Sequence, residues 1–321
     1  EYLMKSVLKN IIIILEFLVI LMLSVLVIFV YRNNGKGKTV ETLANAEDKK
    51  EAINYEKIER KVNDNYYNLS GKKILMSDST FGEIWIPVIE GVPEFSKNRE
   101  QIKNRNGRMY YVENAEIDSI LGVDVSVHQN DIDWEAVKAS GIDFAMIRLG
   151  FRGYGSGEPG IDDNFVANVK GARAAGLDVG VYFFSQAITA EEAVEEAQLV
   201  IDNLKNLDIT YPVVYDWEII YDDTARTDDV PVDILTDSCI AFCESVKEAG
   251  YTPMIYQNKK TTMFKLDLNR LTDYDFWLAE YNSEPTYYYD FTMWQYTSTG
   301  SVPGIEGDVD LNICFKDYSK S

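Results

Sequence analysis

The sequence predicts an α/β fold, an irregular closed barrel preceded by an N-terminal transmembrane helix and a stem. Three observations carry this. From Ile120 onward, strand-like runs alternate with helix-like runs, which implies a parallel sheet. About eight strands over roughly two hundred residues fit a sheet closed on itself. The last three strand-like runs have little helix between them, so the barrel is irregular there.

Residues 1–10 read as a cytoplasmic N-terminus and 11–31 as a membrane anchor. Ile11 to Val30 is apolar except for Glu16 and Ser24. At ~1.5 Å per residue it spans about 30 Å, the hydrocarbon thickness. Lys5 and Lys9 precede it; Arg32, Lys36 and Lys38 follow it, so basic residues alone do not orient it. A cleaved signal peptide is the alternative, with Ala44-Asn45-Ala46 in A-x-A form but far beyond the apolar run. Residues 32–65 are polar and charged, a spacer with helical character around Asn45 to Val62. Residues 66–118 hold the alternating runs F-G-E-I-W-I-P-V-I-E-G-V-P and R-M-Y-Y-V, expected as a small strand-rich extension packed on the main body.

Residues 119–318 form the predicted barrel. The strand L-G-V-D-V-S precedes a helix capped at Asp133 and closed by Gly141. The strand D-F-A-M-I-R-L-G leads into a Gly-rich loop, Gly150 to Gly160. That loop lacks the G-K-[ST] ending of a phosphate loop and is expected to be a mobile rim. A helix over Asp163–Ala175 precedes D-V-G-V-Y-F-F-S, and a long helix spans Ala190 to about Leu204. Then come P-V-V-Y-D-W-E, a helix near Ile234–Ala249, T-P-M-I-Y-Q and a short helix near Lys259–Phe264. The runs D-F-W-L-A-E-Y, F-T-M-W-Q-Y and D-V-D-L-N close the barrel.

A formal net charge of −21 argues against nucleic acid as a partner, whose phosphates need a basic face. Cys239, Cys243 and Cys314 form no C-x-x-C pair, and one histidine is too few for ordinary zinc patterns. The cysteines read as small buried apolar residues. His128 follows a strand, with no G-x-S-x-G elsewhere, and reads as a ring hydrogen-bonded at a strand mouth. No cofactor or metal is expected.

Tyr211 to Glu218 carries the chemistry. Alternate strand residues face one way, so Asp216 and Glu218 are neighbours with Cα atoms about 6.6–7 Å apart. Two carboxyls that close hold different protonation states, which is what glycoside cleavage needs. Barrel sites sit at the C-terminal strand ends, where Asp124 and Asp310 also fall, on first and last strands that a closed barrel makes neighbours. Tyr182, Tyr215, Tyr281, Trp294 and Tyr296 are expected on the same rim, with Tyr287–Tyr289 in a loop. Carboxylates among aromatics suit an oligosaccharide. Asp124, Asp310, Tyr182, Tyr281, Trp294 and Gln295 are the candidate substrate-binding residues; Glu218 and Asp216 are the candidate catalytic pair.

These blocks, from G-V-D-V-S-V-H-Q-N-D-I-D-W-E-A-V-K through P-V-V-Y-D-W-E to W-Q-Y-T-S and V-D-L-N, resemble glycoside hydrolase family 25, the lysozyme-like N-acetylmuramidases. The resemblance runs from about Leu121 to Phe315. It implies an irregular TIM-like barrel of five β/α units plus three closing strands. It also implies cleavage of the β-1,4 bond between N-acetylmuramic acid and N-acetylglucosamine in peptidoglycan. On its pattern Glu218 matches the general acid, Asp216 the second carboxylate, Asp124 and Asp310 the other pocket acids, and Tyr182 an aromatic at the groove floor. Peptidoglycan glycan strands and the membrane are then the expected partners. Three other readings stay open: a barrel that grips glycan without cutting it, a metal-dependent hydrolase using the carboxylates and His128, and a membrane-tethered scaffold.

Overall fold

The computed structural model describes residues 69–78, 82–221 and 223–320. The apolar run Ile11 to Val30, the spacer and Ala44-Asn45-Ala46 lie outside the described residues. Among the described residues no helix is long and apolar enough to cross a membrane. The chain divides into residues 1–65 with 77–84, and residues 66–76 with 85–321. Apart from the tips of its first two strands, everything described below belongs to the second unit.

The extension is strand-rich. β1 (Leu69–Asp78) pairs with β2 (Gly82–Ile89). β3 (Ile102–Arg105), β4 (Arg108–Glu113) and β5 (Glu116–Ile117) form a three-stranded antiparallel sheet. Asn106-Gly107 joins β3 to β4 with both residues at positive φ, the conformation a tight hairpin demands. Met109 and Tyr111 alternate inward on β4, so one face of this small sheet is buried.

The barrel follows in chain order. It comprises β6 (Ile120–Val125), α1 (Trp134–Ala139), β7 (Phe144–Arg152), β8 (Pro159–Ile161), α2 (Phe165–Ala174), β9 (Asp178–Ser185) and α3 (Ala190–Leu204). Next are β10 (Val213–Trp217), α4 (Val232–Glu248), β11 (Pro253–Asn258), α5 (Lys259–Lys265), β12 (Asp275–Ala279), β13 (Met293–Gly300) and β14 (Val309–Cys314). Side chains at the N-caps start several helices: Asp133 accepts from Ala136 N, Thr189 from Glu192 N and Asn258 from Thr261 N. The parallel pairing of β6 with β7 closes eight strands into a ring, with β8 added antiparallel outside it. Five strands are followed by helices and the last three are not.

Two expectations change. β14 is antiparallel to both β13 and β6, so the sheet is not wholly parallel. Its start, not its end, faces the mouth formed by the C-terminal ends of the other strands. The Gly-rich stretch Gly150 to Gly160 is a hairpin rather than a free rim. β7 runs through it to Arg152, and a Cβ on Gly150 would lie 2.3 Å from the Gly160 carbonyl oxygen, so glycine permits the close pairing. Arg152 is buried and ties the hairpin down: Nε donates to Glu196 Oε1 at 2.6 Å and Nη1 to the Gly157 carbonyl at 2.7 Å.

The strand period sorts the core. On β10, Val214 and Asp216 point into the ring, while Tyr215 points out and packs on Phe242 of α4 with ring centroids 5.1 Å apart. Phe144, Met146, Val214, Met254, Trp277 and Met293 fill the interior below the mouth. The three cysteines are buried and free, and burial pushes their thiols up. The extension is stitched to the barrel by aromatic rings: Phe95 stacks on Phe291 at 4.1 Å, and both Phe95 and Tyr111 meet Phe315 edge-on.

Candidate active site

A cavity of about 290 Å³ opens at the barrel mouth. Asp124 enters it from the end of β6, Arg148 from β7, Tyr182 from β9 and Asp216 from β10, with Glu218 just beyond that strand. Tyr256, Trp277 and Gln295 come from β11, β12 and β13, and Asp310 from the start of β14. Asp310 stands directly opposite Asp124 in the antiparallel register. Thus Asp124, Asp216, Glu218, Asp310, Tyr182, Tyr281 and Gln295, all singled out in the sequence, line one cavity.

Trp294 does not. It is fully buried, and its Nε1 donates to the Glu280 carbonyl at 2.8 Å. Gln295 is its neighbour in the strand and takes the inward place, as alternation requires. Tyr215 and Tyr296 also leave the rim. The hydroxyl of Tyr215 accepts from Ser185 Oγ, and Tyr296 packs against Trp294. Tyr287 and Tyr289 are buried beside Phe291 and each other. His128 reaches the lip of the cavity but is exposed, and no hydrogen bond holds its ring among the described residues.

Four residues of the site carried no functional expectation. Arg148 brings a guanidinium into a cavity that holds four acids; its Nε and Nη2 both lie 2.8 Å from Asp162 Oδ2. A charge inside the apolar run F-A-M-I-R-L-G was its signal. Asn312, Tyr256 and Trp277 act with Gln295 to hold Asp124. Asn312 Nδ2 and Gln295 Nε2 donate to Asp124 Oδ2 at 2.7 and 2.9 Å. Trp277 Nε1 donates to Asn312 Oδ1, and the hydroxyls of Tyr256 and Tyr281 donate to Gln295 Oε1, which fixes both amides with nitrogen toward the acid. These contacts depend on ring closure, so no local pattern announces them.

The electrostatics follow from burial. Desolvation, then the charge of Asp310, pushes Asp124 well above the usual carboxylate range against the pull of its two amide donors. Desolvation and Glu218 push Asp216 well above it too. Glu218 is raised to about 7, first by desolvation and then by Asp310. Hydrogen bonding between the two side chains acts in opposite directions on them, lowering Glu218 and raising Asp216. The two carboxyls therefore titrate together. Asp310 is raised to about 6 by desolvation. Asp216 Oδ1 is buried and has no hydrogen-bond partner among the described residues. No group of three or more His, Cys, Asp or Glu arranged to hold a metal occurs among the described residues.

The profile of glycosyl hydrolases family 25 matches residues 123–305, more than half of the chain. The chain belongs to that family. The match spans the strands that carry Asp124, Asp216 and Gln295 and stops just short of Asp310. This family 25 chain is 26% identical over 193 residues to the autolytic lysozyme of Clostridium acetobutylicum, covering 60% of this chain and 54% of that protein. It is 27% identical over 212 residues to lysozyme M1 of Streptomyces globisporus, covering 62% and 68%. It thus spans about half the length of the first of these relatives. Among solved structures it is similar to the modular autolysin LytC from Streptococcus pneumoniae, at 24% identity and a TM-score of 0.54 over 76% of this chain and 57% of that one. The spore cortex lytic enzyme SleM of Clostridium perfringens is similar at 24% identity and a TM-score of 0.53, over 61% and 67%. At those identities the likeness is one of fold.

Proposed function

We propose that the chain is a peptidoglycan hydrolase, a muramidase that cleaves the β-1,4 bond between N-acetylmuramic acid and N-acetylglucosamine with retention. The observation that carries the reading is the Asp216–Glu218 pair, two carboxyls lining one cavity in the mouth of the barrel and both raised by burial. Glu218, raised to about 7, is a proton donor for the glycosidic oxygen at neutral pH. Two carboxyls two residues apart at the end of one strand favour retention, because inversion needs room for a water between them, at about 6.5–9.5 Å. Asp216 then attacks the anomeric carbon or orients the acetamide of the substrate as nucleophile. The acetamide that the substrate itself carries favours the second role. Asp124, Asp310, Tyr182, Tyr281 and Gln295 bind the sugar.

Family membership and relatives named lysozyme support the same reaction. Glu218→Gln is expected to cut muropeptide release from purified peptidoglycan by at least about a thousandfold, the scale on which a general acid and its geometry act together, with the fold intact by circular dichroism. Near-parental release from that variant removes Glu218 from the role. New reducing ends, as opposed to co-sedimentation alone, separate cutting from gripping. Activity that persists in a chelator separates this reading from the metal-dependent one.

For location, the apolar run Ile11 to Val30 supports a single-pass anchor with the barrel on the cell-wall side. Full-length chain recovered in the membrane pellet after alkaline washing is the expected result. A shortened chain in the medium would mean cleavage and secretion.

A further inference from the structure

Strand pairing ends just before Glu218. The last partners of β10 are Ser185 for Trp217 on one side and Tyr256 for Asp216 on the other. The Trp217 carbonyl on the β11 side and the Glu218 carbonyl lie past the ladder, where backbone acceptors need other donors. Two buried glutamines supply them, one from each neighbouring strand. Gln186, which follows β9 and is 0% exposed, donates Nε2 to the Glu218 carbonyl at 2.8 Å. Gln257, on β11 and 1% exposed, donates Nε2 to the Trp217 carbonyl at 2.8 Å. Thr227, in the loop after β10, donates its hydroxyl to Gln186 Oε1 at 2.7 Å, which fixes which end of that amide faces Glu218. Gln186 has both ends of its amide bonded, whereas Gln257 Oε1 is buried without a partner among the described residues, so filling space alone would favour apolar residues here.

We propose that Gln186 and Gln257 are positioning residues, an amide clamp that holds the frayed end of β10 so that the Glu218 carboxyl meets Asp216 inside the cavity. The proposal rests on the muramidase reading and adds the parts that aim its acid. Neither glutamine lines the cavity, so neither touches substrate. Loss of the clamp lets Glu218 swing without changing the groove.

The test uses the full chain acting on purified peptidoglycan. Gln186→Met keeps side-chain length and removes both hydrogen bonds. The expected result is a kcat lower by about a hundredfold, the cost of misplacing a catalytic group by about 1 Å, with KM within about twofold. Gln257→Met is expected to act in the same direction. Gln186→Glu supplies the control for packing. Its neutral carboxyl donates to the Glu218 carbonyl, so activity relative to the parent at each pH should be high in acid and fall as that carboxyl ionises. A parental kcat in Gln186→Met overturns the proposal. So does a deficit in Gln186→Glu that is the same at every pH, which would mark a packing role. Should Gln186→Met lose its thermal transition, Thr227→Val leaves the glutamine in place without its orienting bond. A kcat lower by about tenfold, the worth of one buried hydrogen bond, then supports the clamp, and an unchanged kcat overturns it. Glu218→Gln run alongside separates the two claims. If it still cleaves, the muramidase reading fails and the clamp with it; if it is dead while Gln186→Met works normally, only the clamp fails.

Discussion

Glu218 carries a cost in stability that depends on pH. Its carboxyl is raised from 4.5 to about 7 in the folded chain, so the folded state binds its proton more tightly than the unfolded state does. The stabilisation is complete below about pH 4.5 and is lost as pH rises through about 7. Asp310, raised from 3.8 to about 6, adds to the same slope. The melting temperature should therefore fall between pH 5 and pH 8. Glu218→Gln has no such proton to lose, so its melting temperature should match the parent at pH 5 and exceed it at pH 8. With solvent screening of a partly exposed group, a gain of about 1 kcal/mol is expected, or about 2–4 °C in a chain of this size. Parallel curves in a calorimetric pH series would count against the raised carboxyl. The D-x-E pair was legible because alternation needs only two residues. The choice between Trp294 and Gln295 was not. The run is flanked by apolar and aromatic residues on both faces, and a barrel strand buried on both sides hides which of its faces looks inward.

At the scale of elements, the hairpin of β7 and β8 depends on one buried cation. Arg152 sits between Glu196, which is fully buried and raised to about 7 even with its partner, and Glu195, whose Oε2 accepts from Nη2 at 2.7 Å. Removing the guanidinium leaves a buried acid without its counter-charge, at a cost on the order of 3–5 kcal/mol. In Arg152→Ala the folded-state pKa of Glu196 climbs further, so the penalty relative to the parent should grow as pH rises from 5 to 8. Urea titrations at the two pH values check this. A uniform loss would assign the effect to packing. The sequence shows eleven residues from Gly150 to Gly160 with five glycines and reads as loose loop; what it hides is the buried arginine that tightens it. The reversed direction of β14 shows in the spacing of the observed strands, not in the sequence runs, which leave nine residues, 282–290, in the parallel connection and eleven, 297–307, in the antiparallel one. Eight residues, 301–308, separate it from β13, whereas thirteen, 280–292, separate the parallel pair β12 and β13. A parallel crossover needs a dozen or more.

Across the molecule, the extension and barrel share one aromatic seam. Phe95, Tyr111, Phe291 and Phe315 interlock, Arg99 donates to the carbonyls of Pro285 and Tyr287, and Ile89 N donates to the Tyr289 hydroxyl. Phe95→Ala should cost about 3 kcal/mol, the usual price of emptying a buried ring site, and residues 85–318 should still unfold in one calorimetric transition. A separate early transition would mean that the two parts are only loosely joined. The alternating runs of residues 81–93 and 108–112 announced strands, but the rings that receive them lie some two hundred residues further on, where a local pattern has no reach. The barrel closes by joining its first strand to its last, and Asp124 on the first takes its amide donors from Gln295 and Asn312 near the end of the chain. A polypeptide still emerging from the ribosome carries that acid with neither donor beside it. The mouth therefore takes its folded form only once β14 has joined the ring.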